Sequence, residues 1–150
     1  MTLKDILTAD CTACAVPASS KKRILDTICE LAATKIPTYT PYELFESLIA
    51  REKLGSTGIG NGIAVPHGRL TATQQAIAVV VTSKEPVAFN AIDNRPVDIF
   101  VALFVPEDAC QEHLSTLQSI AKFLGNTQTA KQVRKCQSNQ ELFELLKHAK

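Results

Sequence analysis

Residues 51–68 read Arg51-Glu-Lys-Leu-Gly55-Ser-Thr-Gly58-Ile-Gly60-Asn-Gly62-Ile-Ala-Val-Pro66-His67-Gly68, and this stretch decides how the chain is interpreted. It joins a glycine-rich loop, a short apolar strand and a histidine held between proline and glycine. Glycines let backbone N–H groups approach an anion closely. Imidazole is a nucleophile when neutral, and it titrates close to neutral pH. The stretch therefore indicates a histidine that meets a phosphoryl group.

The glycine-rich loop does not match either of the common nucleotide-binding motifs. A P-loop needs a lysine directly after its second glycine, and no glycine of this chain is followed by lysine. A dinucleotide fingerprint needs a third glycine where this chain has Ile63, and a helix rather than a strand is predicted before the loop. The remaining interpretation is that the loop amides hold a small anion beside His67. The candidate phosphate-binding residues are Ser56, Thr57, Gly58, Gly60, Asn61, Gly62 and Gly68.

The composition is that of one ordinary globular domain, which we expect to span residues 1–150. Apolar residues make up 45% and charged residues 21% of the 150-residue chain, and the formal net charge is +1. This charge gives no reason to expect nucleic acid as a partner. No apolar run is long enough to span a membrane, and the first residues show no signal-peptide pattern, so we expect a cytoplasmic protein without membrane insertion.

The five cysteines do not predict a disulfide framework or a metal site. Cys11 and Cys14 form a C-x-x-C pair, which can be half of a zinc site or a redox pair. A zinc site needs a second pair of ligands, and the chain has none at suitable spacing. We interpret the pair as structural, and we predict neither metal nor cofactor.

Hydrophobic periodicity predicts helices near both ends of the chain and strands between them. Helices are expected to begin near Thr2, Ser19 or Ser20, Thr40, Asp108, Ala130 and Ser138. Strands are expected over residues 11–16, 63–65, 76–81, 86–89 and 97–105. The predicted fold class is a single mixed α/β domain, with helices covering both faces of the sheet.

Two further residues are candidates for the site of His67. Arg51 lies at the end of a predicted helix, four residues before the glycine loop, and arginine suits phosphoryl oxygens by its geometry. It is either a solvated charge or a ligand of the phosphoryl group. His113 begins the helix that follows the last strand, and it is either a second imidazole of the site or an exposed polar residue. His148, near the end of the chain, has no predicted role.

The run Ile63-Ala64-Val65-Pro66-His67-Gly68 resembles the signature of the type-2 enzyme IIA (EIIA) domains of the bacterial phosphoenolpyruvate-dependent phosphotransferase system. The segments 55–62 and 91–98 resemble the nitrogen-regulatory branch of that family. The resemblance implies a mixed sheet with helices on both faces. It also implies phosphorylation of His67 on Nε2, with Arg51 and His113 as the other active-site residues.

The resemblance further implies the partners. The phosphoryl donor is a phosphorylated histidine carrier protein, charged by an enzyme I that uses phosphoenolpyruvate. Regulatory target proteins, such as those of potassium transport and its sensor kinase, bind this protein according to its phosphorylation state. The protein is then an enzyme only as a phosphotransferase component, without turnover of a small molecule. The oligomeric state, monomer or weak dimer, stays open.

Three alternatives are kept. In the first, the chain is a fructose- or mannitol-type EIIA domain of the sugar branch, which passes its phosphate to a IIB domain during uptake. In the second, it is an enzyme that uses His67 as a general base, with Asp93 or Asp98 orienting the imidazole. In the third, it is the cytoplasmic domain of an anion transporter, which shares the fold and needs no phosphotransfer.

Overall fold

The computed structural model describes residues 2–73 and 75–148. Its elements in chain order are α1 Leu3–Ile6, β1 Leu7–Val16, α2 Lys21–Ala33, α3 Pro41–Glu52, β2 Gly58–Gly60, β3 Ile63–Ala64, β4 His67–Leu70, β5 Ile77–Val87, β6 Val97–Pro106, a 3₁₀ turn Glu107–Ala109, α4 Cys110–Gly125, α5 Thr127–Lys135 and α6 Asn139–His148. None of the described helices is long and apolar enough to cross a membrane.

The strands form one mixed sheet in the order β1-β5-β6-β3-β2, with β4 also paired to β6. Strand β1 is parallel to β5, β5 is antiparallel to β6, and both β3 and β4 are parallel to β6. Helices cover both faces, because one apolar core lies against α2 and α3 and a second lies against α1, α4, α5 and α6. The predicted fold class is confirmed.

The continuous apolar run in β5 is explained by these two cores. Val79 and Val81 belong to the core beside α2 and α3, and Ala78 and Val80 belong to the other core. Side chains alternate between the two faces of a strand, so a strand buried on both faces is apolar at every position. Strand β6 alternates in the same way, with Phe100 and Leu103 on opposite sides.

The predicted helix starts are confirmed where a local capping pattern supports them. The Ser20 hydroxyl accepts a hydrogen bond of 3.2 Å from the backbone N–H of Arg23 at the start of α2. Thr40 and Glu43 form a reciprocal capping box, with Pro41 as the first residue of α3. These signals depend on residues three apart, so the sequence alone specifies them.

The strands depart from the prediction in several places. Strand β1 begins at Leu7 rather than at residue 11, and β2 lies in the segment predicted as a glycine-rich loop. The segment 86–89 is not a separate strand, because β5 continues to Val87 through a shift in its register with β6. Such an irregularity tolerates Pro86, which has no N–H to donate. The strand predicted over 63–65 stops at Ala64 and resumes at His67 in the same register along β6. Pro66 lies in the interruption, and its carbonyl accepts a hydrogen bond of 2.9 Å from Leu103 N–H.

Candidate functional site

His67 is the first residue of β4, and its two ring nitrogens have different partners. Nδ1 lies 3.1 Å from the carbonyl oxygen of Val65, and Nε2 lies 3.2 Å from Nε of Arg51. The arginine nitrogen can only donate, so Nε2 must accept and Nδ1 must carry the proton. The fold therefore selects the tautomer in which Nε2 keeps its lone pair and faces a cation.

The surroundings of His67 also favour the neutral form of its ring. Burial lowers the pKa of His67 below the usual histidine value, and the nearby charge of Arg51 lowers it further. The hydrogen bond to Val65 acts in the opposite direction, but it does not cancel the effect of burial. A neutral imidazole with an unprotonated Nε2 is the form that can attack phosphorus.

Arg51 lies in the last turn of α3 and is fixed at two points. Its Nε donates to His67, and its Nη1 donates to the carbonyl oxygen of Gly55 at 2.8 Å. Within the described ranges, Nη2 makes no hydrogen bond, so it is available to a ligand beside Nε2 of His67. Arg51 is therefore held by contacts within the protein rather than being a freely solvated charge, and its role as a ligand of the phosphoryl group stays a prediction.

Gly68 allows α3 to lie directly on β4. A Cβ atom at this position would overlap with Ser47 Oγ and would come within 3.1 Å of Ser47 Cβ. The Ser47 hydroxyl also donates a hydrogen bond of 3.2 Å to the backbone carbonyl of Arg69. Ser47 is one helical turn before Arg51 on the same face of α3. The close approach at Gly68 thus positions the arginine against His67.

Glu52 fixes the chain that leaves α3. Its carboxylate, only 4% exposed, pairs with the Lys21 ammonium at 2.8 Å. It also accepts hydrogen bonds from the backbone N–H of Thr57, at 3.2 Å, and from the Thr57 hydroxyl. The end of α3, where Arg51 lies, is therefore held to the strand β2 that follows.

The amides of the glycine-rich segment are engaged within the protein. Gly58 N–H donates to Ser56 Oγ at 3.1 Å, and Asn61 N–H donates to the carboxylate of Asp93 at 2.9 Å. Gly60 belongs to β2 rather than to a loop, and Gly62 lies against the Arg134 and Asp98 side chains. These amides have partners within the fold, and a phosphate-binding role for this segment stays a prediction.

A cavity of about 470 Å³ lies beside His67, between α3 and the first turns of α4. Its walls are formed by Ser47, Ala50, Arg51, Leu54, His67, Gly68, Arg69, Val105, His113, Leu114 and Leu117. Four predicted site residues, His67, Arg51, His113 and Gly68, thus meet at one cavity. The six predicted residues between Ser56 and Gly62 are not among its walls.

His113 is buried, with 6% of its surface exposed, so it is not the exposed polar residue of the alternative interpretation. Its Nδ1 has no hydrogen-bond partner in the part of the chain that the structure describes. A buried polar atom without a partner costs on the order of 1–3 kcal/mol. His113 belongs to the wall of the cavity, so it is placed beside a ligand that binds there.

The structure adds Ser47, Glu52 and Arg69 to the surroundings of His67, and the sequence interpretation missed all three. Ser47 precedes Arg51 by four residues on a helix, and Arg69 follows His67 by two residues on a strand. The first spacing places Ser47 on the same face of the helix as Arg51, and the second places Arg69 on the same face of the strand as His67. Both spacings are visible in the sequence, but the spacing of Arg69 from His67 is informative only if a strand is known to begin at His67.

The carboxylates proposed to orient His67 in a general-base enzyme lie elsewhere. Asp93 accepts hydrogen bonds from the backbone N–H groups of Asn61 and Arg95. Asp98 pairs with Arg134 at 3.0 Å. The partner of His67 Nδ1 is a backbone carbonyl, so neither carboxylate orients the imidazole as the general-base alternative requires.

Comparisons with known proteins point in one direction. Residues 5–149 match the family model described as "Phosphoenolpyruvate-dependent sugar phosphotransferase system, EIIA 2". The chain is 46% identical over 145 residues to the nitrogen regulatory protein of Escherichia coli (strain K12), covering 96% of this chain and 88% of that relative. The crystal structure of the nitrogen regulatory protein IIA-Ntr from Neisseria meningitidis is 34% identical, with a TM-score of 0.89 over 96% of this chain and 98% of that one. The IIA mannitol structure from Escherichia coli is 22% identical and has a TM-score of 0.73, covering 93% of this chain and 97% of that one, and this likeness shows the fold alone.

Proposed function

The chain belongs to the EIIA type-2 family of the phosphoenolpyruvate-dependent sugar phosphotransferase system and is similar to its nitrogen-regulatory members, and on this basis we propose that it is a regulatory phosphoprotein that accepts a phosphoryl group on His67 Nε2. The observation that carries the proposal is the pair of contacts at the imidazole. Nδ1–H is held by the Val65 carbonyl, and the Nε2 lone pair lies 3.2 Å from Arg51 Nε.

The transfer step follows from these contacts. The lone pair of Nε2 attacks the phosphorus of a phosphohistidine on the donor, an N–P bond forms, and the donor imidazole leaves with the electron pair of the broken bond. The proton on Nδ1 stays at the Val65 carbonyl, so no base is needed. Once Nε2 has bonded to phosphorus, Arg51 can no longer donate to it. Its N–H groups then donate to the oxygens of the phosphoryl group.

We infer that the donor is a phosphorylated histidine carrier protein of the nitrogen branch, charged by enzyme I and phosphoenolpyruvate. The cavity of His67 suits a protein donor, because the exposed side chains of Leu54 and Leu114 form part of its wall. The added group brings about 1.5 to 2 negative charges to this surface. Regulatory targets, proposed to include potassium transport and its sensor kinase, then bind according to the phosphorylation state.

The test is phosphorylation with a reconstituted donor mixture. The chain is incubated with phosphoenolpyruvate, enzyme I and the carrier, and its intact mass is measured. We expect the mass of one added phosphoryl group, and we expect it to be absent in His67→Ala. His148→Ala is the matched control, because His148 is exposed and pairs with Glu144 on its own helix. A mixture that phosphorylates a known acceptor but leaves this chain unchanged would refute the proposal.

A further inference from the structure

Arg69 lies on the same face of β4 as His67. Alternate residues of a strand face the same side, and the intervening Gly68 faces Ser47 of α3. Two residues along a strand span roughly 7 Å. Both side chains belong to the wall of the cavity that also contains Arg51 and His113.

The guanidinium of Arg69 has no partner within the described part of the chain. Only its backbone carbonyl is engaged, by the hydroxyl of Ser47. By contrast, the guanidinium of Arg51 is held by His67 and Gly55. All five N–H donors of Arg69 are thus available, on a long side chain that begins within reach of Nε2.

The charges around the cavity favour an anion that carries more than one negative charge. Among the described residues, no aspartate or glutamate belongs to its wall, and the nearby Glu52 is already paired with Lys21. The positive charge of Arg69 also acts on His67, since it contributes to lowering the pKa of the imidazole. Two arginines, Arg51 and Arg69, therefore belong to the wall of the cavity in which a group of about two negative charges is to form.

Building on the proposed function, we infer that Arg69 is a second phosphoryl-binding residue, which stabilises phosphorylated His67 after transfer. Arg51 is in place before transfer because it contacts Nε2. Arg69 has no acceptor at that stage, and it gains one only when the phosphoryl oxygens arrive. Arg69 therefore stabilises the phosphorylated state more than it accelerates the attack of Nε2 on phosphorus.

The test compares Arg69→Gln with wild type in the reversible transfer from the phosphorylated carrier. We expect the equilibrium constant for phosphorylation of the chain to fall about tenfold, the order of magnitude for one charge-assisted hydrogen bond at a half-exposed site. Arg69→Lys keeps the charge without the planar fork, and it is expected to lose less than about threefold. Arg95→Gln, an exposed arginine outside the cavity wall, is the matched control and should match wild type.

The NMR titration of unphosphorylated His67 gives a second readout, which a merely structural role would not move in this direction. Removing the charge of Arg69 should raise the pKa of the imidazole, whereas Arg95→Gln should leave it unchanged. An Arg69→Gln protein that folds and has the transfer equilibrium of wild type would overturn this inference alone. Wild-type protein that takes up no phosphate would overturn the proposed function, and this inference with it.

Discussion

At the scale of single residues, the site depends on which nitrogen of His67 carries the proton. Arg51 can only donate, so its contact with Nε2 leaves the proton on Nδ1, where the Val65 carbonyl accepts it. The same fold partly buries the ring, which disfavours its charged form. The tautomer is thus selected, and the neutral form is favoured, before any donor arrives.

This account predicts how phosphoryl acceptance depends on pH. The protonated imidazole has no lone pair on Nε2, and the pKa of His67 is lowered by burial and by Arg51. Acceptance should therefore decline as the pH falls, with a midpoint below about 6.5, the ordinary histidine value. Initial rates of phosphate gain from prephosphorylated carrier measure this dependence, and an NMR titration of His67 supplies the midpoint independently of the donor. A midpoint above 6.5 would contradict the assigned environment.

At the scale of elements, the site depends on how closely α3 approaches β4. The absent side chain of Gly68 leaves room for Ser47, and Ser47 in turn lies one helical turn from Arg51. The role of Gly68 here is close packing between a helix and a strand, whereas the sequence had suggested contact with phosphate.

We predict that Gly68→Ala separates α3 from β4, because the new methyl group overlaps with Ser47. The free energy of unfolding should fall by about 1–3 kcal/mol, as in other overpacked sites. Phosphoryl transfer should also slow, since Arg51 moves with the helix. Chemical denaturation and transfer rates measure the two effects.

Two comparison variants make this prediction specific. Adding Ser47→Ala to Gly68→Ala removes the nearest clashing atom, so the double variant should recover part of the loss. Gly125→Ala is the matched control, because a methyl group at Gly125 meets no atom within 4 Å. If Gly68→Ala changed the free energy of unfolding and the transfer rate no more than Gly125→Ala, the close approach of α3 to β4 would contribute to neither.

A second prediction at this scale concerns the buried carboxylate at the end of α3. Lys21→Met leaves the Glu52 carboxylate, 4% exposed, without its cation, although the side chain of Lys21 itself is 25% exposed. Allowing for that exposure, we expect a loss of about 1–3 kcal/mol in the free energy of unfolding. Lys22→Met breaks an exposed pair with Asp26 on the same helix and should cost at most about 0.5 kcal/mol. Equal losses in urea denaturation would show that Glu52 needs no partner.

At the scale of the whole molecule, the sequence predicted what local patterns determine. The capping residues Ser20 and Thr40 and the apolar run in β5 specified helices, a buried strand and the fold class. The hydrogen-bond partners of the backbone N–H groups in the glycine-rich segment could not all be predicted from local patterns. The partner of the Asn61 amide, Asp93, lies 32 residues away in the chain, and the fold alone brings the two together.

The contact between Arg51 and His67 belongs to the same scale. The two residues are 16 positions apart, and they meet because β4 pairs with β6 while α3 packs on β4. The sequence indicated each residue as a candidate, but no periodicity connects a helix end with a strand start. The sheet order supplies that connection.

The central claim is that the phosphoryl group is carried on Nε2 of His67, and NMR of ¹⁵N-labelled imidazole tests it most directly. Before transfer, the spectrum should show the proton of His67 on Nδ1 and a lone pair on Nε2. After incubation with phosphoenolpyruvate, enzyme I and the carrier, coupling to phosphorus should appear at Nε2 of His67. Coupling at Nδ1, at another histidine or at none would contradict the account.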